Sequence, residues 1–219
     1  MLTREHGRVS ALARAARKSK KRFAGALEGF ALITVDLAFG RGQLARLDAA
    51  RVTRVFPRLL GDLARLEAAG GLMRLARELL PERVPDDAVF ELLCEVLALL
   101  DETPPDSGGF ARALSLVGAA QVLALTGFAP HLGGCVGCGK EPGAGQAALF
   151  DPARGGIVCR ACGGGPERMS GKVRGLLTCA LEGELREAVE RVLGSGAGEL
   201  REGERLLGAF SAVVLARGE

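Results

Sequence analysis

The pattern of apolar and polar positions along this chain changes its period near residue 57. Before that point, four short runs alternate or are rich in β-branched residues, as strands are: Arg8–Ala13, Phe30–Leu37, Gln43–Leu47 and Arg51–Phe56. Glycines at 40 and 42 favour a hairpin turn between the second and third runs. Short strands joined by glycine turns predict a small β-barrel, because closure removes the unpaired strand edges. We therefore expect an OB-type domain over residues 1–56.

From Pro57 onward, apolar residues recur at helical spacing. The first such segment runs from Leu59 to Leu80, and Gly70-Gly71 could break or bend it. Residues 89–100 have almost no polar face, which predicts a central buried helix capped by Asp86 or Asp87. Further helices are expected at 110–125, 170–180, 184–193 and 199–216. The chain is therefore predicted to be an α+β protein, with an α-helical domain over residues 57–219.

Two pairs of cysteines interrupt the helical part. Each pair encloses two residues, and twenty residues separate the pairs. This is the spacing of a tetrahedral zinc site, because two intervening residues let one tight turn direct two thiolates at one ion. Gly139 and Gly163 follow the pairs directly, where we expect a positive φ. The pattern predicts a zinc knuckle inserted at about residues 133–165. Its candidate metal ligands are Cys135, Cys138, Cys159 and Cys162.

Four thiolates close the coordination shell, so we expect a structural Zn²⁺ that folds this glycine-rich segment. A catalytic zinc has three protein ligands and keeps one position open for water. The chain has two histidines, His6 and His131. The residues around His131 and Cys159 lack the H-x-E and the proline of a zinc deaminase. Iron bound as in rubredoxin remains the alternative ion, and a pair of redox disulfides is disfavoured because no βαβ pattern surrounds either pair.

Charge is distributed unevenly along the chain, although its formal net charge is only +3. Residues 1–30 contain eight Lys/Arg and two Asp/Glu, a net charge of +6, and the remainder contains 21 and 24, a net charge of −3. Positive charge concentrated in one short segment indicates a polyanionic partner. The chain has neither an apolar run long enough to span a membrane nor a secretory signal. We therefore expect a cytoplasmic protein without a membrane partner.

The candidate nucleic-acid contact is the segment from Arg14 to Arg22, between the first two predicted strands. A charge run is often only a solvated surface. This one contains no acidic residue and lies in a loop of a predicted OB barrel, a fold that commonly binds single strands. With no Trp or Tyr in the chain, Phe23 is the expected stacking residue, whereas Phe30 and Phe56 are expected in the core. The candidate nucleic-acid-binding residues are Arg8, Arg14, Arg17, Lys18, Lys20, Lys21 and Arg22.

Two distant parts of the chain carry a resemblance to a known family. The first comprises Leu2–Arg17 followed by Phe23–Phe30. The second comprises Leu125–Leu132, just before the first cysteine pair, followed by Phe150–Cys159. These segments, and the order of the elements between them, resemble the RecO family of bacterial recombination mediators. The resemblance covers most of the chain, about residues 2–180.

Such a resemblance implies an N-terminal OB fold joined to a helical domain in which the four cysteines hold a zinc finger. It implies a protein of recombinational DNA repair that binds single- and double-stranded DNA through the basic loop and anneals complementary strands. With its partner RecR, the family helps the RecA recombinase displace single-strand-binding protein. The resemblance further implies a bacterial cytoplasmic protein, associated with the nucleoid, without a small-molecule substrate.

The chain departs from the family pattern at both ends. Members usually begin with about twenty more residues that supply the first OB strand, so the start codon is assigned late or the barrel lacks a strand and exposes an edge. The C-terminal end, Phe210–Glu219, is short and has no basic tail.

We expect no enzymatic activity. The sequence contains no Gly-x4-Gly-Lys-Ser/Thr loop for nucleotide hydrolysis, and strand annealing requires only that cationic protein screens the repulsion between two strands. A zinc-ribbon protein that binds RNA or acts in transcription is the alternative function. A metal-assisted hydrolase or deaminase would need an open metal site, which a four-thiolate shell does not provide.

Overall fold

The structure, a computed structural model, describes residues 1–14, 20–23, 26–27, 29–40, 42–104 and 109–217. The chain divides into two compact units, Met1–Pro105 and Asp106–Glu219. Strands dominate the first part of the first unit, and helices dominate the rest of the chain, so the predicted α+β class is confirmed. The predicted domain boundary between residues 56 and 57 stays a prediction.

The sheet of the first unit is built around one long strand. The strands are β1 (Leu2–Thr3), β2 (Gly7–Arg8), β3 (Ala11–Leu12), β4 (Ala31–Ala38) and β5 (Ala45–Val55). β1 and β2 form an antiparallel pair, and β5 lies between a parallel β3 and an antiparallel β4. The two strands predicted at 43–47 and 51–56 are therefore one strand, because the intervening alanines continue the ladder with β4.

Among the described residues, these strands do not close into the predicted barrel. Within the sheet, β4 is hydrogen-bonded to β5 alone, and β1, β2 and β3 contribute only two residues each. Strands this short cannot bridge the edges of β3 and β4. The N-terminal architecture is therefore a three-stranded sheet with a small separate β-pair.

A small apolar cluster covers one part of this sheet. Its buried members are Phe23, Ala26, Leu47 and Ala50, and side chains of β4 pack against it. Phe23 is only 3% exposed, so its predicted role as the stacking residue is wrong: the ring forms part of the core instead. The prediction that Phe56 is buried is confirmed, and Phe30 is half-buried with a φ of 55°.

The described residues of the first unit form four helices: α1 (Lys20–Phe23), α2 (Pro57–Leu60), α3 (Leu63–Leu79) and α4 (Asp87–Glu102). Side chains cap the two long helices, since Asp62 accepts from the backbone N–H of Arg65 and Asp86 accepts from that of Val89. The predicted Asp86 cap is therefore confirmed. Gly70 and Gly71 lie inside α3 without ending it.

The second unit is a helical bundle with an inserted sheet. Its helices are α5 (Gly109–Leu125), α6 (Gly171–Glu182), α7 (Leu185–Leu193) and α8 (Ala197–Arg217), and α5 packs against the other three. Between α5 and α6 lie β6 (Ala148–Asp151), β7 (Gly156–Ile157) and β8 (Glu167–Met169), antiparallel in the order β7-β6-β8. In the described part of the chain, every helix is too short or too polar to cross a membrane.

Candidate metal centre and nucleic-acid interface

The four cysteines of the predicted knuckle converge on one point. Their sulfur atoms all lie within 4.8 Å of one another. Cys135 and Cys138 lie in the loop after α5. Cys159 follows β7, and Cys162 ends a 3-10 turn, Arg160–Cys162. The sheet connects the pairs, because the backbone N–H of Val136 donates to the carbonyl of Ile157 at 2.9 Å. These four residues could therefore hold a metal ion.

Both cysteine pairs lie in tight turns that a glycine completes. The backbone N–H of Gly139 donates to the carbonyl of Cys135 at 2.8 Å, and that of Gly163 donates to the carbonyl of Arg160 at 3.1 Å. Gly139 has a φ of 73° and Gly163 a φ of 100°, which is the left-handed region that glycine adopts most cheaply. The expected positive φ at both positions is therefore confirmed.

The spacing of the sulfur atoms fits a tetrahedral ion. Zinc–thiolate bonds of about 2.3 Å place the sulfurs of a regular tetrahedron about 3.8 Å apart. The sulfurs of Cys138 and Cys159 are 3.7 Å apart. An all-thiolate donor set is suited to Zn²⁺ or to iron and poorly suited to Mg²⁺ or Ca²⁺. The chemistry and the proximity of these four residues therefore fit a four-coordinate thiolate metal.

Backbone amides prepare one of these sulfurs to be a thiolate. The N–H groups of Cys159 and Gly137 donate to the sulfur of Cys135 at 3.2 and 3.4 Å. These hydrogen bonds lower the pKa of Cys135 from 9.0 to about 6. Hydrogen bonds with the thiols of Cys138, Cys159 and Cys135 favour a neutral Cys162 and raise its pKa to about 12. Four thiolates this close repel one another, and a divalent cation removes that cost.

Arg154 supports the second cysteine pair from the turn after β6. Its Nη1 donates to the carbonyl of Cys162 at 2.9 Å. The turn that carries Arg154 is closed by Asp151, whose carboxylate accepts from the backbone N–H of Ala153 at 2.9 Å. The turn at Gly137 is packed closely against the second cysteine pair, since a Cβ added at Gly137 would lie 3.1 Å from the sulfur of Cys162.

The candidate nucleic-acid-binding residues are only partly described. Arg17 and Lys18 lie outside the described residues, as do the side chains of Lys20 and Lys21, whose backbone belongs to α1. Arg14 and Arg22 are exposed, and Nη2 of Arg22 donates to the carbonyl of Arg14 at 3.2 Å. This contact brings the start and the end of the basic segment together.

Arg8 is placed differently from the others. It lies half-buried in β2, and its backbone carbonyl accepts from the N–H of Arg83 at 2.9 Å. Its Nε is buried and has no hydrogen-bond partner among the described residues. Arg8 also helps to lower the pKa of Glu82, after a hydrogen bond from Ser10 as the main cause. The guanidinium of Arg8 therefore points partly into the folded unit.

Sequence reasoning missed a cluster of Phe39, His6 and Arg83 at the turn between β4 and β5. Phe39 follows β4 and is 43% exposed. The ring of His6 contacts it edge-on, with centroids 4.8 Å apart, and the guanidinium of Arg83 lies 5.5 Å from its centroid. The sequence signal for Phe39 was an aromatic residue beside the turn at Gly40. His6 and Arg83 are distant from Phe39 in sequence, so no sequence signal indicated that the three residues form a cluster.

Comparison with known proteins assigns both parts of the chain. The family model described as "Recombination protein O N terminal" matches residues 1–56, and the one described as "Recombination protein O C terminal" matches residues 60–219. The chain is 40% identical to the DNA repair protein RecO of Anaeromyxobacter dehalogenans (strain 2CP-C), over 96% of this chain and 81% of that protein. It is 35% identical to the DNA repair protein RecO of Symbiobacterium thermophilum, over 100% of this chain and 84% of that protein.

These matches extend over both compact units and over the cysteine knuckle. They confirm the resemblance that the N-terminal segment and the segments around the knuckle predicted. The chain belongs to the RecO family of DNA repair proteins.

Proposed function

We propose that this protein is a non-catalytic DNA-binding protein of recombinational repair. It binds single- and double-stranded DNA through the basic segment from Arg14 to Arg22 and anneals complementary strands. The observation that carries this proposal is the net charge of +6 on residues 1–30, in a chain that belongs to a DNA repair family. The alternative function, RNA binding or transcription, becomes an outcome of the test below.

Annealing follows from charge and needs no reacting group. Lysine and arginine side chains neutralise phosphates and release the counterions condensed on them, so affinity falls steeply with salt. Two strands coated by the same cationic protein repel each other less and are held at high local concentration. We therefore expect neither ATPase nor nuclease activity, and no small-molecule substrate.

The cysteine cluster is proposed to hold a structural Zn²⁺, with Cys135, Cys138, Cys159 and Cys162 as ligands. Its support is the sulfur geometry and the closed shell of four thiolates. When bound, the ion cross-links the loop after α5 to the turn after β7. Arg154 and the backbone amides at Cys135 orient these turns from outside the shell.

The partners are proposed from family membership. We propose that the protein acts with RecR to load RecA on DNA coated with single-strand-binding protein, in the bacterial cytoplasm and on the nucleoid. We also propose that residues 1–56 supply the DNA contacts and residues 57–219 the helical scaffold with its zinc finger at about 133–165, as the two family models divide the chain.

The proposal is tested by removing four charges from the basic segment, in the variant R17A/K18A/K20A/K21A. Binding of a 20-nucleotide oligothymidine is measured by fluorescence anisotropy across a salt series, together with annealing of complementary oligonucleotides. For single strands, each phosphate that the protein neutralises adds about 0.7 to the steepness of the log–log salt dependence. We therefore expect weaker binding, slower annealing, and a slope flatter by about 2 to 3 if each of the four cations neutralises one phosphate.

The matched control removes the same charge from exposed positions of the second unit. These are Lys172, Arg186, Arg191 and Arg201. The control is expected to bind and anneal like the wild type. Equal losses in both variants would show that net charge alone matters and would contradict the assignment to the basic segment. A wild-type preference for RNA over DNA would favour the alternative function.

A further inference from the structure

We propose that Phe39 is a base-stacking platform, held in place by His6 and Arg83, on which an unpaired base of a single strand rests. This inference rests on the proposed DNA binding and adds a contact of a different chemistry to it. Proteins that bind single strands without sequence preference combine a cationic surface with aromatic rings on which bases stack. Because Phe23 is buried, base stacking on the first unit would have to use another ring.

The exposure and position of Phe39 suit this role. The residue directly follows β4 and precedes the glycine turn, so its ring lies at the end of the sheet rather than on its covered part. In the described part of the first unit, the other phenylalanines are less accessible: Phe23 and Phe56 are buried, and Phe30 and Phe90 are half-buried. A large apolar ring that is 43% exposed beside a predicted polyanion site is suited to contact bases.

The ring is held by contacts that leave it little freedom. The guanidinium of Arg83 lies over the ring, and its Nη2 donates to the carbonyls of Gly42 and Gln43 at 3.1 and 2.6 Å. Arg83 itself has a φ of 61°, a conformation that costs an arginine about 1 kcal/mol or more and persists only where the surroundings enforce it. A pre-positioned ring loses less conformational entropy when a base stacks on it.

The charge of the cluster matches its proposed occupant. Arg83 places a positive charge over one face of the ring, where it attracts the phosphate of a nucleotide whose base stacks on the other face. His6, beside the ring, can donate a hydrogen bond. A hydrophobic partner protein would gain less from these polar neighbours than a nucleotide, which is apolar on its base faces and anionic on its backbone.

Phe39 lies close enough to the basic segment for one short piece of single-stranded DNA to contact both. Ala38 and Leu12 both pair with Arg46, on opposite sides of β5, so their backbones are about 10 Å apart. Phe39 follows Ala38 directly, and the basic segment begins two residues after Leu12. At about 3.4 Å per stacked nucleotide, a single strand of roughly three or four nucleotides spans this distance.

The absence of Trp and Tyr from the chain makes the test direct. In the variant F39W, the introduced indole is the only one in the protein, and a base that stacks on it quenches its fluorescence. The matched control is F128W, because Phe128 is 44% exposed in the second unit. We expect a 20-nucleotide oligothymidine to quench F39W but not F128W. Bound oligonucleotide that leaves F39W unquenched would overturn the inference.

A second pair of variants separates stacking from charge. F39L keeps apolar volume but removes the aromatic face, and F128L is its control. We expect F39L to bind oligothymidine about five- to tenfold more weakly than the wild type does, the lower part of the range for loss of one stacked base. Its affinity for an abasic oligonucleotide with the same number of phosphates should be unchanged. Thermal unfolding followed by circular dichroism shows that both variants are folded.

The outcomes distinguish this inference from the function on which it rests. Wild-type affinity of F39L for oligothymidine would overturn the stacking role and leave the basic segment as the DNA contact. Equal weakening toward both oligonucleotides would also contradict stacking, because an abasic strand has no base to lose. Failure of the wild type to bind either oligonucleotide at low salt would overturn the proposed function itself.

Discussion

At the scale of single residues, Arg65 is a charged side chain buried in the first unit, 5% exposed. Its guanidinium donates to the carbonyls of Leu100 and Thr103 at the C-terminal end of α4, where a positive charge also complements the helix dipole. Its Nε lies 3.8 Å from the carboxylate of Asp62, the cap of its own helix. One side chain therefore satisfies the end of α4 and supports the start of α3.

Replacing this residue in R65M keeps the length of the side chain but leaves two carbonyls without their donors. We expect the free energy of unfolding to fall by about 2 to 4 kcal/mol, as when one partner of a buried charged hydrogen bond is removed. The measurement is urea-induced unfolding followed by circular dichroism. R77M, in the same helix, is the control: Arg77 is exposed and pairs with its neighbour Glu78 on the surface, so its replacement should cost less than about 0.5 kcal/mol. Similar losses in both variants would contradict the anchoring role of Arg65.

Residue-level chemistry was predictable where it depends on local spacing. The four cysteines and their two glycines form turns within a few residues, so the sequence alone indicated both the cluster and the sign of φ. The contacts of Phe39 were not predictable in this way, because His6 and Arg83 reach it only through the folding of the whole unit. Phe23 was misplaced for a similar reason: its neighbours in sequence are charged, but its neighbours in space are Leu47 and Ala50.

At the scale of elements, the helices were predicted better than the strands. The apolar period of a helix repeats over many residues, so it is easy to recognise in a sequence. In α4 this period and the cap at Asp86 both predicted the helix that the structure contains. β5 was predicted as two strands because the stretch Asp48-Ala49-Ala50 has little β-propensity, and its pairing with β4 outweighs that propensity. Closure into a barrel depends on which edges meet, and local pattern carries no information about that.

The glycine pair in α3 gives a prediction at this scale. Gly71 is exposed in the middle of the helix, and a Cβ added there meets nothing within 4 Å. G71A should therefore raise the free energy of unfolding by about 1 kcal/mol, because alanine loses less backbone entropy and has the higher helix propensity. Thermal or urea unfolding measures the change.

The control for this substitution is a glycine that the fold requires. Gly7 has a φ of 61°, and a Cβ there would lie 1.9 Å from the carbonyl oxygen of Val84. G7A should therefore destabilise the protein while G71A stabilises it. A loss of stability in G71A would show that α3 needs a flexible point at this position, as its sequence first suggested.

At the scale of the whole molecule, the basic segment and the cysteine cluster belong to different compact units, Met1–Pro105 and Asp106–Glu219. The cysteines connect loops that contain many glycines and few apolar side chains, so much of the stability of that region is expected to come from the proposed Zn²⁺. The proposed DNA contacts depend on a separate set of core residues.

Removing the metal should therefore reduce stability without abolishing DNA binding. We expect the double variant C138S/C162S to lose bound zinc, measured by mass spectrometry, and at least about 3 kcal/mol of unfolding free energy. Its affinity for oligothymidine, measured at a temperature where it stays folded, should be close to that of the wild type. C179S, in α6 outside the cluster, should keep its metal. Disappearance of DNA binding together with the metal would show that the knuckle itself contacts DNA.

The contacts of β2 determine when the first strands can fold during translation. Arg8 forms an isolated backbone β-bridge with Glu82, and its carbonyl accepts from the N–H of Arg83. Gly7 lies against the carbonyl of Val84. A nascent polypeptide that has emerged from the ribosome only as far as residue 56 holds β1 and β2 but not the residues that secure them. The leading end of the protein thus stays open to chaperones and proteases until the chain beyond α3 has been synthesised.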